Sequence, residues 1–311
     1  MSRAPHFLGI GVQKAATSWL WEALRLHPDV WMPPRKELHY FDRATRYPSP
    51  SHLASDSRWR RATSDAPEDC RLRQFFRDEF RAAVDRRDWP SARWTLRYFW
   101  GGRSDAWYRS LFAPAKGRVA GEITPAYSIL DDADVARAAA ISPSVKVLVL
   151  LRDPIERAWS HAKFAASLHG SLYEVPDLSS EESIVRFMDS PVQTMRGDYV
   201  RMFETWTRHL PAERFWIGYQ DDVEARPDDV LRGAFEHLGV AADRAVRGNR
   251  GERVNRSAER PMPDAVRRHL ASRYLPELRR LAALPIIAAR PGREHVATWI
   301  RRAESAAGDQ G

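Results

Sequence analysis

The sequence predicts an α/β fold: a doubly wound parallel sheet with helical insertions. Three stretches carry that reading. Residues 6–12 form a short apolar run closed by a loop, and a helical pattern follows. Residues 145–151, VKVLVLL, are an all but unbroken apolar run, the signature of a strand covered on both faces of a parallel sheet. Phe215–Tyr219 reads as a further strand, followed by a helix at 227–238 that stops at Gly239. Alternating strands and helices favour parallel pairing through right-handed crossovers.

Each element has its own warrant. Thr17–Leu26 places Trp19, Leu20, Ala23 and Leu24 at helical spacing, and Thr17 or Ser18 offers a cap. Asp153 and Pro154 open a helix that runs to about Ala166, with Asp as cap and Pro in the first turn. Residues 43–100 begin polar, then carry Leu72, Phe75, Phe76, Phe80 and Val84 at helical spacing. They are expected to form an inserted helical lobe over an acceptor cleft. Residues 171–191 are expected to be a second surface excursion. Residues 304–311 are small and polar and are expected to fray. Residues 1–311 are read as a single domain.

Composition narrows the class. With 43% hydrophobic residues in 311, the chain has enough apolar material for a core. Mean hydropathy is −0.53, and no apolar run reaches the about 18 residues of a membrane span. The first residues lack the apolar stretch of a secretory leader, so a cytoplasmic protein is expected. The single cysteine, Cys70, excludes an internal disulfide and a cysteine-rich metal site. Net charge is +8, which favours an anionic ligand. No dense basic run with interleaved aromatics suggests a nucleic-acid track. No metal is expected, because no His/Asp/Glu spacing offers a ligand set.

Three segments bear chemistry. The first is the loop Lys14-Ala15-Ala16-Thr17-Ser18-Trp19 after the first strand. A strand–loop–helix unit points backbone N–H groups and the positive helix end at one spot, a ready anion site. Lys14 adds a point charge, and Thr17 and Ser18 add hydroxyl donors. The Walker spacing G-x-x-x-x-G-K-[ST] is absent, which argues against a kinase or ATPase. Ala15-Ala16 disfavours positive φ, so a right-handed turn is expected there. The second segment puts Arg152 at the carboxyl end of the VKVLVLL strand, where open α/β sheets bind ligands, with Ser160 two helical turns on. The third places Glu37 and His39 two residues apart, on one side of the chain if that stretch is extended.

Together the segments resemble the sulfotransferases that use 3'-phosphoadenosine 5'-phosphosulfate, including bacterial relatives of the heparan sulfate and glycosaminoglycan enzymes. Gly121–Tyr127, Gly197–Tyr199 through Leu210-Pro211, and Asn255-Arg256-Ser257 add further family segments. The resemblance implies a phosphate-loop-like sulfotransferase fold. It implies that Lys14–Ser18 holds the 5'-phosphosulfate, that Arg152 and Ser160 hold the 3'-phosphate, and that Trp19 stacks on adenine. Asn255, Arg256 and Ser257 would form the last donor loop. Glu37 would be the catalytic base, with His39 as orienter or substitute base, and Lys14 would stabilise the leaving phosphate. The acceptor implied is a hydroxyl, less readily an amine, of a carbohydrate or small molecule. The glycosaminoglycan branch carries Lys where Ile123 stands, so donor chemistry is implied and a particular acceptor is not. The alternatives are another phosphate-loop nucleotide transferase or kinase, and a non-catalytic module for acidic glycans.

Overall fold

In the computed structural model, residues 4–48, 54–167, 175–244 and 260–308 are described. Strand β1 (Phe7–Gly11) is buried at every position and leads into helix α1 (Thr17–Leu26). A two-residue strand, β2 (Val30–Trp31), follows. Three helices then form the insertion: α2 (Arg58–Thr63), α3 (Pro67–Asp85) and α4 (Trp89–Trp100). Phe75, Phe76 and Leu72 of α3 join the core cluster, with Phe76 stacked on Phe99 of α4 at 4.4 Å. The helical spacing over 72–84 therefore predicts this element well.

Next come α5 (Asp105–Ser110), β3 (Val119–Ile123), α6 (Asp132–Ile141), β4 (Lys146–Leu151) and α7 (Pro154–Ser167). In β4 the residues Val147–Leu151 are each at most 1% exposed. Burial of each such side chain contributes about 1.5–3 kcal/mol. Then follow α8 (Glu181–Asp189), α9 (Pro191–Gly197), α10 (Tyr199–Thr207), β5 (Phe215–Tyr219), α11 (Gln220–Ala225) and α12 (Pro227–Leu238). Gly239 closes α12 at φ 78°, where glycine carries no Cβ penalty. The chain continues through α13 (Asp264–Ala283), α14 (Pro285–Ala288) and α15 (Arg293–Gly308).

The five strands lie in the order β2-β3-β1-β4-β5, and every pair is parallel. The chain leaves β1 to build one side through β2 and β3, then builds the other through β4 and β5. The carboxyl end of β1 is therefore a switch point, where open α/β sheets form their ligand crevice. Gly11 keeps that end narrow: at φ 150°, an added Cβ would lie 3.1 Å from Ser128 Cβ and 3.3 Å from the Pro125 carbonyl.

Several expectations need correction. Residues 181–189 are not a surface excursion: Ile184, Phe187 and Met188 of α8 are buried in the core. The last helix runs through Gly308, well into the stretch expected to fray, and Ala303 is fully buried. No described helix is long and apolar enough to cross a membrane.

Candidate active site

The loop after β1 turns without glycine. Lys14 has φ 70° and Ala16 has φ 56°, so the expected right-handed turn is wrong. Two non-glycine residues occupy the left-handed region, at about 1–2 kcal/mol each, and the packed switch point holds them there. Ala15 beneath them is fully buried. The capping expectation also changes. Ala16 is the N-cap of α1, no side chain caps the helix, and its first turn contains no acid. The first N–H groups of α1 are thus left facing the loop, and the positive end of the helix is not neutralised from within its own first turn. Thr17 is buried, Ser18 is half-buried, and Trp19 packs part of its ring against the core.

Arg152 leaves the carboxyl end of β4 and donates from Nη1 to the Lys14 carbonyl at 2.9 Å. Tyr199 of α10 is buried and donates its hydroxyl to the Arg152 carbonyl at 2.9 Å. Two residues from distant strands are thereby fixed at one point, as the sequence predicts. Burial lowers the Arg152 guanidinium below its ordinary value. Burial, together with the nearby Arg152, Lys163 and Lys36 charges, pulls the Lys14 ammonium down to about 8. The Lys14 Nζ rests 4.3 Å from the centroid of the Phe164 ring. Cations crowded and held from water gain most from an arriving anion. Ser160 is buried on α7. Asn255, Arg256 and Ser257 lie outside the described residues.

Glu37 and His39 meet, though not for the expected reason. The segment is not extended: Glu37 has φ 61° and His39 has φ 51°. The His39 Nε2 lies 3.4 Å from Glu37 Oε2, and its Nδ1 lies 2.7 Å from Asp42 Oδ2. Asp42 is fully buried and was not foreseen as a site residue, although it lies three residues beyond His39. Burial disfavours the His39 charge, but Asp42, with Glu37, outweighs it and raises the ring to about 9. The imidazole is therefore protonated at neutral pH and donates to both carboxylates. For Glu37, burial opposes ionisation, but the Lys36 ammonium at 2.6 Å and the His39 ring hold the carboxyl well below its usual range. Lys36 also contributes to the low value of Lys14, so one side chain couples the loop to the carboxylate.

A second carboxylate supports this segment from below. Glu122 of β3 is 1% exposed. It accepts hydrogen bonds from the Tyr108 hydroxyl at 2.5 Å, Thr124 Oγ1 at 2.7 Å, the Tyr127 hydroxyl at 3.0 Å and the Leu38 N–H at 3.3 Å. Burial raises its value despite these donors. The Tyr40 N–H donates to the Tyr127 hydroxyl at 2.9 Å, and the Glu37 N–H donates to the Ile123 carbonyl at 3.1 Å. The left-handed residues 37 and 39 are thus pinned to β3 on both sides. Sequence reasoning marked residues 121–127 only as a resemblance. The signal available was a glutamate inside an otherwise apolar stretch.

A parallel sheet with a cationic, uncapped helix start at its switch point defines an anion-handling α/β enzyme with a carboxylate within reach. Residues 5–244 match the sulfotransferase family, and the chain belongs to it. The chain is 24% identical over 238 residues to heparan sulfate glucosamine 3-O-sulfotransferase 3B1 of Mus musculus, covering 76% of this chain and 46% of that protein. It is 26% identical over 306 residues to heparan sulfate glucosamine 3-O-sulfotransferase 6 of Homo sapiens, covering 89% and 71%. The chain thus spans about half the length of the mouse relative (46%). Among solved structures, a sulfotransferase from Alicyclobacillus acidocaldarius superposes with a TM-score of 0.56 at 23% identity, covering 90% of this chain and 94% of that one. The sulfotransferase domain from the curacin biosynthetic pathway does so with 0.50 at 15% identity, covering 80% of each. These likenesses support the fold, and family membership makes the protein a transferase of sulfuryl groups. It displaces the kinase and the non-catalytic binding module.

Proposed function

We propose that the protein transfers a sulfuryl group from 3'-phosphoadenosine 5'-phosphosulfate to a hydroxyl, in preference to an amine, of a carbohydrate or other small-molecule acceptor. The observation that carries this reading is the coupling of the Lys14–Arg152 cation pair, through Lys36, to the Glu37–His39–Asp42 chain. The donor brings roughly four negative charges, about two of them on its 3'-phosphate. Lys14 and the first N–H groups of α1 suit its 5'-phosphosulfate. Arg152, with Ser160, is assigned to the 3'-phosphate. Trp19 is assigned to adenine, and Asn255, Arg256 and Ser257 to the remaining donor contacts.

In the transfer step the acceptor oxygen bonds to sulfur as the bond from sulfur to the leaving phosphate oxygen breaks. The acceptor proton passes to Glu37, and Lys14 stabilises the charge growing on the leaving oxygen. His39 is protonated at neutral pH through its contact with Asp42, so it orients Glu37 and does not act as base. Lys36 holds Glu37 in its weakly basic form. A donor that draws Lys36 toward its own oxygens would free the carboxylate and raise its proton affinity at the moment of reaction. Glu37→Gln tests the assignment. Turnover is expected to fall by about 100-fold or more with nucleotide affinity retained; unchanged turnover with any accepted hydroxyl would remove Glu37 from the base role.

A further inference from the structure

Beside the Glu37–His39 pair lies a cavity of about 180 Å³ whose lining includes Arg35, Arg43, Arg71, Arg103, Tyr98 and His39. We propose that this cavity is an acceptor subsite that takes one compact oxyanion, a carboxylate or a sulfate ester, and thereby presents a neighbouring hydroxyl to Glu37. The inference rests on the sulfuryl-transfer reading above and adds the chemical class of the acceptor.

Four guanidinium groups converge from three parts of the chain: the loop before Glu37, the start of the insertion with α3, and the turn after α4. Arg43 and Arg103 are fixed by the Ala54 carbonyl, at 3.1 and 3.0 Å. They share the Asp56 carboxylate, at 2.5 and 3.6 Å, but that side chain is 72% exposed and faces water. The fully buried Arg61 adds a further positive charge close by, and burial, then Arg43, lowers its value. Arg35 stacks on Phe75 at 4.1 Å and lies 5.3 Å from the Tyr98 ring. Its buried Nε–H has no acceptor among the described residues. A charged donor left unpaired out of water costs about 1–3 kcal/mol or more, which an oxyanion in the cavity would remove. Planar guanidinium groups match carboxylate and sulfate oxygens in bidentate fashion.

Size and position sharpen the proposal. At 180 Å³, the cavity is smaller than the about 300–1,000 Å³ that encloses a whole small ligand. It therefore takes a substituent and leaves the rest of the acceptor outside. His39 lines the cavity and touches Glu37 at 3.4 Å, so the acceptor backbone is delivered end-on to the base. A single acidic sugar or a chain terminus fits this geometry. An internal stretch of polymer, entering sideways, does not.

The test is calorimetric. Methyl glucuronide, the 6-sulfate of methyl glucoside, and neutral methyl glucoside are titrated into the full chain, with and without 3'-phosphoadenosine 5'-phosphate. At least one anionic glycoside is expected to bind about tenfold or more tightly than the neutral one, equivalent to about 1.4 kcal/mol. The two anionic arms distinguish a carboxylate from a sulfate ester. Arg71→Gln and Arg35→Gln are each expected to abolish that advantage while nucleotide affinity stays within about twofold. Arg71 is exposed on α3, so its variant is suited to reading the effect in a folded protein. Equal binding of the three glycosides, or an anionic advantage that survives both variants, overturns the proposal. A wild-type protein that fails to bind the nucleotide would instead overturn the donor assignment, and the glycoside titrations would still read this subsite separately.

Discussion

Lys14 makes the donor reading measurable without turnover. In the free protein, burial and the cations around it bring its value to about 8. At pH 8 the ammonium is therefore about half protonated. A bound polyanion supplies the missing counter-charge and restores a value near the ordinary lysine range, so the bound side chain is essentially fully protonated. Binding of 3'-phosphoadenosine 5'-phosphate should then draw about 0.5 proton from solution at pH 8, and about 0.1 at pH 7. The ligand adds little at pH 8, since its phosphates, with second pKa values of about 6, are already ionised. His39, at about 9, is about nine-tenths protonated at pH 8 and can add at most about 0.1. Titration calorimetry in buffers of different ionisation enthalpy yields the proton number directly. Lys14→Arg keeps the positive charge but cannot titrate in this range, so its uptake should fall to about 0.1 or less. An uptake near zero in the wild type, or one unchanged in Lys14→Arg, would refute the reasoning.

Other consequences are open to test. Arg152→Ala removes the guanidinium tied to the Lys14 carbonyl; nucleotide affinity should drop by about tenfold or more, read by the same titrations. His39 is raised above its unfolded value of 6.5 to about 9. Its contribution to stability is therefore complete below pH 6.5 and lost as pH rises through 9. Asp42→Asn should flatten that part of a thermal-denaturation profile and shift the His39 ring resonances to a lower midpoint. Glu122→Ala strands three hydroxyls and the Leu38 N–H, and should cost about 2–5 kcal/mol in chemical denaturation.

Much of this architecture was legible where one physical rule dominates. Thr17–Leu26, Phe215–Tyr219 and Pro227–Leu238 end where their apolar spacing and the glycine stop say they should. β4 declares itself because both its faces are covered. β2 is too short to leave a pattern. β3 was hidden because Gly121 and Glu122 break its apolar run, and only the tertiary structure supplies the hydroxyls that make a buried glutamate tolerable. The site shows the same division. Lys14 and Arg152 were readable from their places at strand ends. Asp42 was not, because its partnership with His39 depends on left-handed turns at residues 37 and 39 that no local propensity favours. The Ala15-Ala16 expectation failed for the same reason.

That failure has a consequence for how the loop evolves and works. A glycine at position 16 would relieve about 1–2 kcal/mol of backbone strain while adding about 0.5–1 kcal/mol of chain entropy to the unfolded state. The two nearly cancel, so global stability does little to choose between them. Alanine differs from glycine in stiffness: its Cβ closes off most of the alternative backbones that a glycine would sample. A cradle already confined to one shape has less freedom to surrender when the donor arrives. The residue that looked like a defect in the phosphate loop is, on these terms, its splint.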